Sequence, residues 1–269
     1  MLYIHENNIN GKINQTRDGS GRRVNGYKNL RVELETFKAQ YYLPFRDRIE
    51  SLIFDEDHIE SFETAAQEFN TYYQNLVDFS DRHGVRSQSK FESTFLEEIS
   101  SYLFKNLPQI QNETFGIFNK GIYAGLKIDS NNHIAVIKKD VDFCIGKKAN
   151  ITIDNQPSTE LILPIVAVEV KTYLDATMFG EIKSSSKSIR SASPNSRTYV
   201  LMGYRDLADE HIIAARQDSA LTEMFALRQG SNSPILSTVL LEYWKEIKNA
   251  VESVSVDDLV PSTGRLLNP

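Results

Sequence analysis

Residues 160–174, ELILPIVAVEVKTYL, form an almost unbroken apolar run that ends in two charges. From Leu161 to Val170 every residue other than Pro164 is apolar except Glu169, and Lys171 follows directly. Such a run is typical of a strand that is buried on both faces. Residues i and i+2 of a strand point to the same side, so Glu169 and Lys171 are predicted neighbours. Charges in a poorly hydrated place are costly unless they pair with each other or bind a metal ion.

The segments around this strand alternate between strand and helix patterns. Upstream, two apolar segments flank a Ser-Asn-Asn turn and predict a hairpin, and DVDFCIG predicts a further strand. We expect residues 146–160 to form a polar loop. Downstream, the sequence predicts a helix over 175–190, a strand over 197–204, a strand over 222–228 and a helix over 233–253. This order predicts an α/β fold with a mixed central sheet flanked by helices.

The N-terminal third predicts an arm followed by helices. Residues 5–29 are rich in Asn, Gly and Arg without an apolar period, which favours a flexible or extended arm. A first helix then has three apolar residues on one face, Leu34, Phe37 and Tyr41, and Pro44 interrupts it. A longer amphipathic helix ends near Gly84 and carries a stripe typical of core or interface packing, Ile59, Phe62, Ala66, Phe69, Tyr73 and Leu76.

Composition places the chain among ordinary globular proteins. It has 269 residues, of which 41% are hydrophobic and 25% are charged. No apolar run reaches the length of a membrane span, and no basic segment followed by an apolar one predicts a secretory signal. Cys144 is the only cysteine, which excludes an internal disulfide and a thiolate zinc cluster and favours a cytoplasmic location.

Charge is unevenly distributed along the chain. The formal net charge is −6, which argues weakly against a nucleic-acid partner. Residues 1–31 contain six basic and two acidic side chains, a balance of +4, so the remaining 238 residues carry −10. A locally basic surface is therefore compatible with an acidic protein, and total charge does not decide the partner.

Two upstream segments offer carboxylates that would complement Glu169. Asp140 and Asp142 share one face of the strand in DVDFCIG, and either one would add an oxygen ligand for a hard cation such as Mg²⁺. In the helix predicted over 89–104, Glu92 falls inside the apolar face, whereas Glu97 points to the opposite side. An ordinary first-turn acid is the alternative explanation for Glu92.

An acidic helix, an Asp on a strand and Glu-x-Lys on the next strand resemble the PD-(D/E)XK nuclease superfamily, over about residues 88–205. The run VAVEVKTYLDATM resembles the Bpu-type type II restriction endonucleases, which cut CCTNAGC. The resemblance implies a restriction-endonuclease-like αβββαβ core. It divides the chain into residues 1–87, a basic arm and helical region for DNA recognition or dimerisation, and residues 88–269, a nuclease core with a C-terminal α/β extension.

The resemblance also implies roles for individual residues. Asp142 and Glu169 would bind Mg²⁺ together with the backbone carbonyl of Val170. Lys171 would position or activate the attacking water, and Glu92 would tune the metal site. The Pro that often precedes the Asp in this superfamily is missing, because Val141 precedes Asp142, and the choice between Asp140 and Asp142 stays open.

Recognition of double-stranded DNA would need basic side chains outside this core. The arm offers Arg17, Arg22 and Arg23 for a groove or for phosphates. The helix after the Glu-x-Lys strand offers Lys183, Lys187 and Arg190 for backbone phosphates, although an ordinary solvated helix face is the better explanation for each lysine taken singly.

The function implied is a Mg²⁺-dependent, site-specific endodeoxyribonuclease that leaves 5′-phosphate ends and works as a homodimer or heterodimer. Three alternatives remain at this stage. The same core occurs in repair or structure-specific nucleases, and a non-catalytic DNA-binding module would keep the fold without needing Lys171. In an unrelated α/β protein, Glu169 and Lys171 would be a structural salt bridge.

Overall fold

The computed structural model describes residues 2–15, 30–85, 90–130, 133–153, 157–216 and 220–254. The helices are α1 (Ile4–Gln15), α2 (Arg31–Phe37), α3 (Leu43–Ser51), α4 (Glu60–His83), α5 (Ser93–Leu103), α6 (Pro108–Gln111), α7 (Ala176–Ala192), α8 (Asp209–Arg216) and α9 (Ser237–Glu252). The strands are β1 (Gly116–Phe118), β2 (Ile122–Ile128), β3 (Ile134–Lys139), β4 (Phe143–Ile151), β5 (Thr159–Leu174), β6 (Arg197–Arg205) and β7 (Glu223–Ala226).

A five-stranded mixed sheet with the order β1-β4-β5-β6-β7 forms the centre of the fold. The pairs β1–β4 and β4–β5 are antiparallel, whereas β5–β6 and β6–β7 are parallel. The predicted α/β class with a mixed sheet flanked by helices is confirmed. The predicted hairpin, β2–β3, lies between β1 and β4 in the sequence. Its two strands pair antiparallel with each other and form a separate two-stranded sheet. The order αβββαβ is therefore met by α5, β1, β4, β5, α7 and β6, and β1 was missed from the sequence.

The long strand β5 corrects the predicted polar loop over 146–160. Strand β4 continues to Ile151, and β5 begins at Thr159. Lys147 and Lys148 are exposed, since the paired strands extend beyond the core here, and this exposure explains the polar composition. The β4–β5 register shifts between Ile145 and Gly146, opposite Pro164, which has no N–H to donate.

Helix α1 contradicts the arm predicted for the residues from His5 to Gln15. His5 and Ile9 are fully buried. The His5 ring lies within hydrogen-bond distance of the Thr94 and Tyr72 hydroxyls, at 2.9 and 2.7 Å, and its backbone N–H donates to Glu98. Few apolar residues suffice to dock this helix because a buried polar network holds it, and an apolar period does not reveal such a network. Residues 16–29, with Arg17, Arg22 and Arg23, lie outside the described residues.

A π-helical turn, Lys38–Tyr42, joins α2 to α3 and explains a second difference from prediction. Pro44 stands in the first turn of α3, and the wider π turn accommodates its missing N–H. The additional residue in that turn rotates the helix face. Tyr42 is consequently buried, whereas Tyr41, the residue predicted to face the core, is 41% exposed.

The two faces of the sheet pack against different helices. One hydrophobic cluster runs from Ile9 to Val251 and joins the N-terminal helices, α5 and α9 to one face of the sheet. A second cluster packs α7 and α8 on the other face, where Val200 and Met202 contribute from β6. The predicted division between residues 87 and 88 stays a prediction. Among the described residues, no helix is long and apolar enough to cross a membrane.

Docking of α1 predicts a specific loss of stability. Ile9→Ala removes a fully buried side chain, and we expect the free energy of unfolding to fall by about 2–5 kcal/mol in urea titrations. The exposed neighbour Asn7 provides the control, since Asn7→Ala is expected to change stability by less than about 0.5 kcal/mol. Equal stability of the two variants would contradict the docked helix.

Candidate active site

The charged end of β5 meets a second carboxylate. The ammonium of Lys171 lies 3.4 Å from Oε2 of Glu169 and 3.6 Å from Oδ2 of Asp142. Asp142 immediately precedes β4, and its Oδ2 also accepts a hydrogen bond of 2.8 Å from the backbone N–H of Val170. The antiparallel pairing of Phe143 with Val168 brings these two strand ends together. The cluster is thus built across two neighbouring strands.

Lys171 stays charged because the two carboxylates outweigh its burial. Burial alone would lower the pKa of Lys171, but the negative charges of Asp142 and Glu169 raise it above its usual value. For Glu169, burial raises the pKa and repulsion from Asp142 raises it further, while Lys171 and a hydrogen bond from the Ser185 hydroxyl act in the opposite direction. The cluster therefore holds more negative charge than one ammonium neutralises.

Helix α5 adds a third carboxylate to this site. A pocket of about 210 Å³ has Glu97, Asp142, Val170 and Lys171 among its lining residues. Burial raises the pKa of Glu97 to about 7, and the charge of Asp142 contributes, against the partial relief that nearby lysines give. Glu97 therefore changes its protonation state near neutral pH, next to the Asp142–Glu169–Lys171 cluster.

The structure does not bring Glu92 to this pocket. Glu92 precedes α5 and accepts a hydrogen bond of 3.3 Å from the Tyr73 hydroxyl, in a neighbouring cleft. Burial raises the pKa of Glu92, against the effects of Tyr73 and Arg228. Glu92 was predicted to act at the metal site because it interrupts an apolar face of the helix. However, α5 is buried on all sides, and the side opposite that face, where Glu97 points, is the one that meets the site.

The composition of α5 carries a sequence signal for Glu97. Helix α5, STFLEEISSYL, contains no Lys or Arg, and its non-apolar side consists of Ser, Thr and Glu. A surface helix of this length normally carries basic residues, so their absence indicates burial on every side. The contribution of Ser185, which comes from the serine run 184–186 of α7, was also missed.

Asp140 and Asp142 have different surroundings. Asp140 is exposed, and its Oδ1 accepts a hydrogen bond from the backbone N–H of Gly121 at 3.0 Å. Asp142 alone of the two contacts Lys171 and lines the pocket. The prediction that both acids share one face of a strand is wrong, because β4 begins only at Phe143 and both residues precede it.

The basic residues of α7 lie along one stretch of that helix. Asp175 caps α7, because its side chain accepts a hydrogen bond from the backbone N–H of Met178. The ammonium of Lys183 lies 5.5 Å from the centre of the Phe179 ring, whereas Lys187 is exposed. Arg190 lines a groove at the end of the helix. A DNA-contacting role for these residues stays a prediction.

The donor atoms at this site fit a hard cation. Asp142, Glu169 and the carbonyl of Val170 supply oxygen, and Mg²⁺ usually takes one or two carboxylates and keeps several waters. When both are ionised, Asp142 and Glu169 carry one more negative charge than Lys171 neutralises, and a bound cation would relieve this excess. Within the described ranges, no group of three or more His, Cys, Asp or Glu side chains is arranged to hold a metal.

Comparison with solved structures defines the class of fold. A chain of the native BbvCI A2B2 tetramer matches with a TM-score of 0.73 and 15% identity, over 95% of this chain and 99% of that chain. The fold is thus restriction-endonuclease-like. The family model of the Bpu10I restriction endonuclease matches residues 88–237, more than half of the chain. The chain belongs to the Bpu10I restriction endonuclease family, which confirms the resemblance seen in the sequence. No match was found among curated proteins.

The raised pKa of Glu97 predicts a pH-dependent stability. Because its pKa lies above the ordinary carboxyl value of 4.5, ionisation weakens the folded state as the pH rises from 4.5 through about 7. In metal-free buffer, Glu97→Gln should therefore gain about 2–3 kcal/mol of unfolding free energy over the wild type between about pH 5 and about pH 8. The control is Glu63→Gln on the exposed side of α4, which is expected to gain none. A constant difference for Glu97→Gln across this range would contradict the assignment.

Proposed function

We propose that this chain is a Mg²⁺-dependent type II restriction endonuclease, which hydrolyses double-stranded DNA at a specific sequence and leaves 5′-phosphate ends. The observation that carries the proposal is the contact of one lysine ammonium with two carboxylates, at the end of a buried strand. Membership of the Bpu10I restriction endonuclease family supports it. The single cysteine supports action in the cytoplasm.

The reaction follows from the chemistry of the site. A water oxygen forms a bond with phosphorus, the bond from phosphorus to the 3′-oxygen breaks, and the 3′-oxygen takes up a proton. A bound Mg²⁺, held by Asp142, Glu169 and the carbonyl of Val170, would supply Lewis-acid stabilisation of the phosphate charge. Lys171 stays protonated, so its Nζ donates hydrogen bonds to the phosphate or to the attacking water.

We assign to Glu97 the part that the sequence gave to Glu92, the helix acid that tunes the metal site. Its carboxyl lines the same pocket as Asp142 and Lys171, and its pKa of about 7 makes it sensitive to the local charge. A cation in the site would favour its ionised form. Glu97 can then accept a hydrogen bond from water in the pocket and so orient that water.

The chain acts as part of an oligomer in this proposal. Cleavage of both strands needs two sites or one site that acts twice, so a homodimer or a heterodimer is expected. The matched BbvCI chain comes from an A2B2 tetramer, which supports an assembly with a second kind of subunit. In such an assembly each subunit would cut one strand. DNA contacts would come from Lys183, Lys187 and Arg190 on α7, and from Arg17, Arg22 and Arg23 outside the described residues.

Loss of Lys171 tests the proposal most simply. On supercoiled plasmid with Mg²⁺, Lys171→Ala should lower the cleavage rate by about 10²–10⁴-fold, because the phosphate loses its ammonium partner. The exposed Lys245 on α9 gives the matched control, and Lys245→Ala should cut as the wild type does. End mapping of wild-type products should show discrete ends with 5′-phosphates.

Other outcomes of the plasmid assay separate the alternatives. Nicked circles alone would indicate that a partner subunit cuts the second strand. Cleavage without sequence preference would favour a repair or structure-specific nuclease. Binding of DNA without cleavage, with Lys171→Ala indistinguishable from the wild type, would refute the catalytic proposal for the chain acting alone. Unfolding of Lys171→Ala and of Lys171→Met would favour a structural salt bridge.

The assignment of the helix acid gives a further prediction. Glu97→Gln should lower the Mg²⁺-dependent cleavage rate more than Glu92→Gln does, because only Glu97 lines the pocket of Asp142 and Lys171. Rates should be compared across Mg²⁺ concentrations, since Glu97→Gln should also raise the concentration needed for half-maximal activity. The reverse order of the two variants would restore Glu92 to the role that the sequence suggested.

A further inference from the structure

A second, larger cleft adjoins the active-site pocket. It has a volume of about 650 Å³, within the range of about 300–1,000 Å³ that is usual for ligand sites. Ser93, Thr172 and Tyr173 line both cavities, so the two form one continuous groove from Lys171 to Arg228. Asp142, Glu169, Lys171 and Glu97 are not among the residues that line this second cleft.

Arg228 is the unusual residue of this cleft. It is only 3% exposed, and its Nη1 donates to the backbone carbonyl of Ser231 at 3.1 Å. Its Nε and Nη2 are buried without a hydrogen-bond partner in the part of the chain that the structure describes. The guanidinium lies 4.3 Å from the centre of the Tyr73 ring and 5.9 Å from that of Tyr204.

The backbone holds Arg228 in this position. Its N–H donates to the carbonyl of Gly203 at 2.9 Å, which extends the β6–β7 pairing beyond the end of β7. A Cβ on Gly203 would collide with the carbonyl of Thr172 and would lie 2.8 Å from Nη2 of Arg228. Glycine at this place therefore lets the guanidinium lie directly against the sheet, beside the end of β5.

A buried guanidinium with two unpaired nitrogens is costly for the free protein. Glu92 lies in the same cleft, but its carboxylate accepts a hydrogen bond from the Tyr73 hydroxyl and forms none with Nε or Nη2 of Arg228. The fork of Nε and Nη2 matches two oxygens of one phosphate, and arginine is preferred where such bidentate recognition is needed. A bound anion would accept hydrogen bonds from both unpaired nitrogens and so remove this cost.

We propose that the Arg228 cleft is a phosphate-binding subsite for the DNA strand that is cut at Asp142, Glu169 and Lys171. The inference rests on the proposed nuclease function and deepens it. A strand that follows the groove would place a phosphate next to the scissile one on Nε and Nη2 of Arg228, and the side chains that cover these buried nitrogens, Tyr73 among them, would have to move apart to admit it. Tyr173 and Tyr204 line the same cleft as Arg228, with ring centres 6.0 Å apart and planes within 25° of parallel. Tyr173 is 37% exposed and offers its ring to a sugar or base.

The test combines DNA binding with thermal unfolding of the full chain. Labelled fragments of the plasmid used for the cleavage assay are titrated with protein over a range of salt, with Ca²⁺ replacing Mg²⁺. Arg228→Gln should weaken binding about tenfold and reduce the slope of log affinity against log salt by about 0.9, the value for one lost phosphate contact. The control variant is Arg48→Gln, which removes an exposed arginine paired with Glu68 and should leave both values unchanged.

Thermal unfolding distinguishes a binding role from a structural one. Because the cost of burying Nε and Nη2 unpaired opposes the gain from the Nη1–Ser231 hydrogen bond and the Tyr73 contact, Arg228→Gln should change the unfolding midpoint little, whereas a large fall would indicate a structural role and overturn the inference. Added DNA should raise the midpoint of the wild type more than that of the variant. If Arg228→Gln does not fold, DNA binding is measured with Arg228→Lys instead. This variant keeps the positive charge but lacks the two parallel donors, Nε and Nη2. Wild-type affinity in Arg228→Lys would overturn the inference, and an intermediate affinity would support it.

The remaining outcomes separate this inference from the proposed function. Cleavage and binding by Arg228→Gln at wild-type levels, with an unchanged salt slope, would overturn the subsite alone. Absence of DNA binding by the wild type would overturn both proposals. On the mapped site, a neutral methylphosphonate is placed at each position near the cut. The wild type should show one sensitive position that Arg228→Gln has lost, whereas the same sensitivity in both proteins would refute the contact.

Discussion

The burial of Glu169 and Lys171 at the end of β5 is the constraint on which the site depends. Neither charge is stable there alone, because burial raises the pKa of one and opposes ionisation of the other. Asp142 stabilises the pair, because its carboxylate accepts a hydrogen bond from the backbone N–H of Val170 and contacts the ammonium of Lys171. It also adds a second negative charge beside Glu169. A site that is left short of positive charge in this way is suited to bind a cation and a phosphate together.

The helical N-terminal region supports this site through α5. Glu98, next to Glu97, accepts hydrogen bonds from the hydroxyls of Tyr42 and Tyr102 and from the backbone of His5. Burial lowers the pKa of His5 to about 3 and raises that of Glu98 to about 7. The two adjacent glutamates thus face different surroundings. One fixes the helix against α1 and the π-helical turn, and the other faces the pocket.

Much of the sheet was predictable because apolar periods and turn residues act locally. The run that forms β5, the cap at Asp175 and the strand β6 all carried their own signal. Other features depend on partners that are distant in sequence. Helix α1 docks through a polar network, and Tyr42 replaces Tyr41 in the core because of a π turn.

The candidate site was predictable to the same limited degree. The pair Glu169 and Lys171 was visible because charges interrupted an apolar strand. Glu97 was indicated only by the lack of basic residues in α5, and Arg228 was not visible, since its importance comes from a cavity that forms only when β5, β6 and α5 come together. Apolar periodicity favours Glu92 over Glu97 only for a helix with one solvent-exposed face, and α5 has no such face because it is buried on all sides.

Metal binding tests the central claim most directly. When metal-free protein is titrated with Mn²⁺ in a calorimeter, the wild type should bind the ion. The double variant Asp142→Asn, Glu169→Gln should have lost this binding site. The double variant should remain folded, because its amide oxygens can still accept the hydrogen bonds from Val170 and Ser185, and burial then lowers the pKa of Lys171 so that the ammonium can lose its proton. Equal Mn²⁺ binding by the two proteins would contradict the account and leave Lys171 as one member of a structural salt bridge.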